Sequence, residues 1–166
     1  IYNYDRNGNI GRLLRYGQDP NNTTRSKGMD YLKYTYDNGN QLTGVKDYYN
    51  NPTSNSMGGF KDGNTTGDDY SYDANGNMTK DKNKYITKIE YNHLNLPTKI
   101  TKGAEHLTYK YDATGQKLKK QLFDLSSWTP TTITTKYAGN YIYENEQLKF
   151  FSHAEGYTEP NTEGGF

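Results

Sequence analysis

A tyrosine-rich stretch that recurs along the chain limits the folds open to it more than any other feature. Its clearest copy is Tyr70-Ser71-Tyr72-Asp73-Ala74-Asn75-Gly76-Asn77-Met78-Thr79-Lys80. Tyr70 and Tyr72 alternate with a polar residue, which puts both rings on one face of a strand. Asp73-Ala74-Asn75-Gly76 reads as a type I turn. Its Asp accepts a backbone N–H, and Gly76 supplies the positive φ that closes a bulged hairpin. Asn77-Met78-Thr79-Lys80 then alternates again and returns as the second strand.

The unit is repeated. Tyr4-Asp5-Arg6-Asn7-Gly8 follows Tyr2, Tyr36-Asp37-Asn38-Gly39 follows Tyr34, and Tyr111-Asp112-Ala113-Thr114-Gly115 follows Tyr109. Weaker relatives centre on Tyr91, followed by Asn92-His93-Leu94-Asn95, and on Tyr143, followed by Glu144-Asn145-Glu146. The copy at Tyr36 reaches its glycine one residue sooner, which predicts a two-residue Asn38-Gly39 type I′ turn. The copy at Tyr143 has no glycine, so Asn145 is expected in the left-handed position that Asn tolerates. The second tyrosines fall at 4, 36, 72, 91, 111 and 143, the tightest steps being 19 and 20 residues. A period of this size marks a repeat architecture. A lone hairpin is marginal, whereas hairpins laid side by side make an antiparallel sheet.

These stretches resemble the YD repeats of Rhs proteins, which also occur in the shells of Tc insecticidal toxins and in teneurins. The run Tyr141-Ile142-Tyr143-Glu144-Asn145-Glu146-Gln147-Leu148-Lys149-Phe150-Phe151 is similar to the stretch leading into the Rhs-associated core. Tyr91-Asn92-His93-Leu94-Asn95-Leu96-Pro97 resembles the Bacteroidetes branch. The resemblance implies an all-β fold, with antiparallel hairpins forming one curved, continuous sheet over residues 1–166. It also implies a bacterial, secreted or surface-located structural role, in which a spiral shell encloses or displays a C-terminal toxic polypeptide. Its partner would be the remainder of its own polypeptide. The self-cleaving core of that family carries its aspartates further along, and no Asp-Pro-x-Gly-Met-like motif occurs here, so no protease residue is carried over.

Composition fits an aromatic interior. Only 31% of the 166 residues are apolar, and 18 are Tyr. A mean hydropathy of -1.16 would ordinarily favour disorder, but the regular Tyr-x-Tyr spacing and turn punctuation argue for folded hairpins. A net charge of +1 provides no strong field for nucleic acid. The absence of cysteine excludes disulfides and thiolate metal sites. No stretch approaches the roughly 20 apolar residues of a membrane span, and no signal peptide opens the chain. The start without Met, in mid-motif, reads as an excised fragment.

Between the repeats the signals are weaker. Ile10, Leu13 and Leu14 are inward candidates. Residues 17–30 read as turn-formers, with Asp19-Pro20-Asn21-Asn22 on a surface loop. Residues 46–68 read as an irregular loop, anchored if at all by Phe60. The acidic run at 62–69 lacks EF-hand spacing and reads as a solvated turn rather than a calcium loop. Lys80, Lys82, Lys84 and Lys88 read as a solvated edge, with a break near Lys88. Pro97 fits a strand entry. Leu118 and Leu122 are expected on one face, and residues 152–166 as an irregular tail.

No catalytic constellation emerges. His93, His106 and His153 lie in different units without metal-ligand spacing, no nucleophile elbow is present, and no cofactor is implied. Asp5, Asp37, Asp73 and Asp112 hold fixed places before each turn, which makes them backbone caps rather than acids. The chain therefore reads as a non-enzyme. Trp128 is either a cap on the aromatic core, the commoner use of a Trp, or a platform for a sugar ring. The latter belongs to an alternative reading as a glycan-binding or adhesive module. Open sheet edges also predict edge-to-edge self-association.

Overall fold

Each Tyr-Asp stretch folds as a hairpin, and the protein is all-β. The computed structural model describes residues 3–19, 21–49 and 58–160. Tyr2, Pro20, residues 50–57 of the expected loop and residues 161–166 of the expected tail lie outside these. The described strands form three antiparallel sheets rather than one continuous sheet, and the chain divides into two compact units, Ile1–Tyr85 and Ile86–Phe166.

In the first unit β1 (Asn3–Tyr4), β2 (Ile10–Asp19), β3 (Asn22–Tyr36) and β4 (Leu42–Asp47) lie side by side in chain order. β5 (Tyr70–Tyr72) and β6 (Met78–Asp81) form a separate hairpin. Leu32 and Val45 are the fully buried apolar residues among those described. Register places Leu13 opposite Leu32 and Tyr34 opposite Val45. Leu14 pairs with Tyr31 and so faces the other way from Leu13, contrary to the expectation that both point inward.

The expected turn-rich segment 17–30 is strand instead. β2 and β3 pair out to Asp19 and Asn22, with Asn21 in the turn. Thr23 and Thr24 favour strand, and the turn residues Asp19 and Asn22 cap backbone amides locally, at Asn21 and Thr24.

Residues 58–69 carry no strand but are fastened to the sheet by carboxylates. The Asp69 carboxylate accepts the Val45 N–H (2.6 Å), and Asp62 accepts the Asp47 N–H (3.1 Å). Asp30, with an Arg15 ion pair on its other oxygen, accepts the Phe60 N–H (2.6 Å). Phe60 therefore does anchor the segment, through its backbone. Two aspartates stand where the next strand's carbonyls would be and close the edge of β4. The Asn83 side-chain oxygen accepts from Gly63 and Asn64, both at 3.0 Å.

A 3₁₀ turn, Lys82–Lys84, follows β6, capped by the Asp81 side chain and ended by Tyr85 in a left-handed conformation (φ 59°). The break expected near Lys88 thus falls earlier, and Lys84 and Lys88 pair with Asp81 and Glu90.

The second unit is an eight-stranded meander. Its strands are β7 (Lys88–Tyr91), β8 (Pro97–Lys102), β9 (Glu105–Tyr111), β10 (Lys117–Asp124), β11 (Thr131–Ala138), β12 (Tyr141–Glu144), β13 (Gln147–His153) and β14 (Gly156–Thr158). Ile89, Ile100, Leu107, Leu122 and Ile133 are successive cross-strand partners, so one half-buried aliphatic row crosses five strands. Pro97 opens β8, where no ladder donor is needed. Leu118 does not join Leu122: it is the extra residue of a bulge and stays 43% exposed. The expected tail is ordered through Thr158, because His153 pairs with Gly156 across a tight turn and β14 adds to the sheet.

Candidate functional site

The feature that joins one hairpin to the next is built from the motif residues themselves. Five of the six motif turns start with a side-chain oxygen that accepts two backbone N–H groups, two and four residues on. Asp5 caps Asn7 and Asn9, Asp37 caps Gly39 and Gln41, Asp73 caps Asn75 and Asn77, and Asp112 caps Thr114 and Gln116, all within 2.8–3.0 Å. Asn92 does the same for Leu94 and Leu96 with its amide oxygen. Hydrogen bonds from the Asn9 and Asn77 amides and the Thr114 hydroxyl, reinforced by the backbone donors, hold Asp5, Asp73 and Asp112 below the usual carboxylate range. These aspartates are architectural.

The cap also fixes which residue turns left-handed. Gly8, Gly76 and Gly115 take φ of 83°, 83° and 88°. In the Tyr36 copy the position falls on Asn40 (φ 64°), not on Gly39, and the turn has the same length as its sisters. The expected Asn38-Gly39 type I′ turn does not form, because Asp37 bonds to the amides of Gly39 and Gln41 and sets the longer spacing. Asn95 fills the position in the Tyr91 copy (φ 57°). A two-residue turn occurs in the last copy instead: Asn145, as expected, is left-handed (φ 50°), and Glu146 joins it (φ 70°).

Beyond each turn, in the returning strand and away from the left-handed residue, lies a further bulge that the sequence did not place. Tyr4 pairs with Ile10, Tyr36 with Leu42, Tyr72 with Met78, Tyr91 with Pro97, Tyr111 with Lys117 and Tyr143 with Leu148, and the ladder skips one residue after each of these partners. A bulge interrupts the ladder and displaces backbone groups from their partners. At three of them the tyrosine of the following hairpin supplies a donor. The Tyr36 hydroxyl donates to the Ile10 carbonyl (3.1 Å), Tyr72 to Leu42 (2.7 Å) and Tyr111 to Pro97 (3.0 Å). Burial pushes all three phenols above their ordinary value. The second Tyr of the motif is thus a latch, its ring half-buried and its hydroxyl satisfying the preceding hairpin's backbone.

Neighbouring turns touch as well. Asn7 and Asn9 both donate through their side-chain amides to the Asn40 side-chain oxygen (2.7 and 2.8 Å). In the second unit a Cβ on Gly115 would stand 3.2 Å from the Leu96 side chain.

The other candidates fall apart spatially. Trp128, at the tip of the loop between β10 and β11, is fully exposed and caps no core. His106 stacks on Phe123 (5.0 Å), His93 sits in an exposed turn, and His153 accepts the Glu155 N–H in the last one (3.3 Å). Among the described residues no group of three or more His, Asp or Glu side chains is placed to hold a metal, and no helix is long and apolar enough to cross a membrane. Asp62 and Asp69, the carboxylates of the possible calcium loop, accept backbone N–H groups instead.

The carboxylates that close the β4 edge went unrecognised in the sequence. Asp30, Asp47, Asp62, Asp69 and Asp81 are all buried, yet nothing in their spacing separates them from surface aspartates. No protein-family model matches the chain, and no curated protein is found similar to it.

Proposed function

We propose that this protein is a non-catalytic segment of an Rhs/YD-repeat shell that encapsulates or displays a C-terminal effector polypeptide. One observation carries the reading: the tyrosine of one hairpin repeatedly bonds the bulge of the hairpin before it. Such a joint uses only motif residues, so hairpins can be added in series without new chemistry. The carboxylates of the motif are committed to turn amides, which leaves them as scaffold. The test is limited proteolysis of the full gene product, following the sequence beyond Phe166. Shielding of that sequence, lost on deletion of residues 1–166, supports the reading; equal digestion with and without the segment refutes it.

A second reading, a glycan-binding or adhesive module, is favoured by the full exposure of Trp128 beside Ser127 and Thr129. Aromatic faces flanked by hydroxyls suit the apolar face and rim of a sugar ring. Trp128 is the chain's single Trp, so intrinsic fluorescence reports on it alone. A saturable shift on titration with oligosaccharides, lost in Trp128→Ala on a binding assay, supports this reading. An unchanged spectrum refutes it.

A further inference from the structure

Within the first unit a cleft of about 300 Å³ lies between the β3–β4 face and the segment after it. Lys33 and Thr35 of β3, with Gly44 and Lys46 of β4, supply its floor, and Tyr48 stands at one end. Lys33 and Lys46 are direct cross-strand partners. Like charges set opposite each other destabilise a sheet, and neither lysine has an ion pair among the described residues. Gly44 is equally unaccounted for. A glycine inside a strand weakens it, yet nothing local demands one here. Its backbone lies outside the left-handed region, and an added Cβ would meet Thr35 and Asp69 at an ordinary 3.4 Å. What the absent side chain leaves is room above the strand pair, as where a ligand comes close to backbone.

The opposite wall of the cleft is held in place by its own hydrogen bonds. The Asn64 side-chain amide donates to the Thr66 and Asp68 carbonyls and to Asp69, and its backbone N–H donates to Asn83. Asp69, the acid in the lining, accepts from that amide (2.8 Å) and from the Val45 N–H (2.6 Å), so its charge is met inside the protein. The two ammonium groups therefore set the sign of the cleft. Tyr48 is 53% exposed, and the Lys46 Nζ stands 5.5 Å from its ring centre, so cation and aromatic surface are neighbours. Thr35 and Thr65 add hydroxyls. Among the described lining residues there is no arginine fork and no helix N-terminus, the usual holders of phosphate.

We propose that this cleft binds a carboxylated pyranose, a uronic acid residue. The carboxylate lies between Lys33 and Lys46, the apolar face of the ring against Tyr48, and the hydroxyls at Thr35 and Thr65. The bound anion offsets the repulsion between the two lysines. The site depends on neither the shell reading nor Trp128, which lies in the other unit, so its failure leaves both of those standing.

Titration of the ¹⁵N-labelled chain with galacturonic acid, followed by amide chemical shifts, tests it. The amides of Lys33, Gly44, Lys46 and Asn64 shift saturably, and binding weakens as salt rises. Galactose, which lacks the carboxylate, binds about tenfold more weakly, the size of two partly exposed charge contacts. Lys33→Gln/Lys46→Gln loses a similar factor for galacturonic acid, whereas Trp128→Ala binds as the wild type does. Gly44→Leu fills the floor and removes binding. A urea melt in which Lys33→Gln/Lys46→Gln is at least as stable as the wild type confirms that the fold is intact and that the lysines repel each other. The proposal is overturned by the absence of a saturable shift, by one that acetate reproduces at the same ionic strength, or by one that persists undiminished in Lys33→Gln/Lys46→Gln.

Discussion

Replacing Tyr72 with Phe isolates the latch. The ring stays and only the hydroxyl is lost, so packing is nearly constant. What disappears is a 2.7 Å hydrogen bond from a half-buried phenol to the Leu42 carbonyl. A net intramolecular hydrogen bond contributes about 0.5–1.5 kcal/mol, and an orphaned buried acceptor costs about 1–3. Because this carbonyl sits in a half-buried joint, about 1–2 kcal/mol is expected for Tyr72→Phe. In a unit of this size that lowers the melting temperature by roughly 4–16 °C. Urea denaturation followed by circular dichroism measures it, with Tyr16→Phe as the exposed control, expected within about 0.5 kcal/mol of wild type. The pH dependence gives a second reading of the same bond. Burial raises the Tyr72 phenol above its ordinary value, so the folded state holds its proton more tightly than the unfolded chain does. The contribution is complete below about pH 10 and declines as pH rises through the folded value. The gap between wild type and Tyr72→Phe should therefore narrow in strong alkali. If Tyr72→Phe is as stable as Tyr16→Phe at neutral pH, the hydroxyl does not join the hairpins and the latch reasoning is wrong.

Three further outcomes can be measured by the same melts. Gly39→Ala should be close to neutral, since its added Cβ meets Asp37 at an ordinary 3.4 Å, whereas Gly115→Ala forces a left-handed Ala against Leu96 and should cost about 1–2 kcal/mol; equal losses would restore the two-residue turn. Asp62→Asn should stabilise the chain at neutral pH, because desolvation, with Asp69 and Asp47 nearby, raises this carboxyl's proton affinity in the fold and the amide still accepts the Asp47 N–H. Its advantage should shrink as acid protonates the wild-type group, and a variant that is less stable at both pH values would contradict this. The depressed carboxyls of Asp5, Asp73 and Asp112 contribute stability that is present above the unfolded carboxylate range and lost as pH falls through their folded values. Asp73→Asn, which keeps an accepting oxygen as Asn92 does, should flatten that acid limb; an unchanged limb would show that the cap is not its source.

The hairpins were legible because their determinants are local. Tyr-x-Tyr alternation, an Asp that can reach two amides, and a small residue able to turn left-handed all lie within a few residues of one another. The error at Gly39 has the same origin. A glycine looks like the natural left-handed residue, but the Asp37 cap fixes the spacing and Asn40 bears the strain. The bulges left no mark, since the skipped residues are as different as Gly11, Thr79, Leu118 and Lys149. Their position is set across the strand pair by the turn and the partner tyrosine. Residues 17–30 were misread because Asn, Gly and Ser look like loop formers until a long neighbouring strand pairs with them. The latch itself was half visible: the amphipathic tyrosine was plain in the sequence, but its acceptor is a backbone carbonyl up to 30 residues away.

The aspartates that close β4 bear on how such a chain can change over time. A strand edge normally admits only another strand, whose length and register must match. Here Asp62 and Asp69 meet the amides of Asp47 and Val45 with side chains, and the backbone between them need follow no pleat. An irregular stretch can therefore sit between two repeats, and can lengthen, shorten or diverge in composition. What must persist is two carboxylates at the right reach. That makes the junction after β4 the natural place for the family of sequences descended from this one to vary, while the hairpins on either side stay alike.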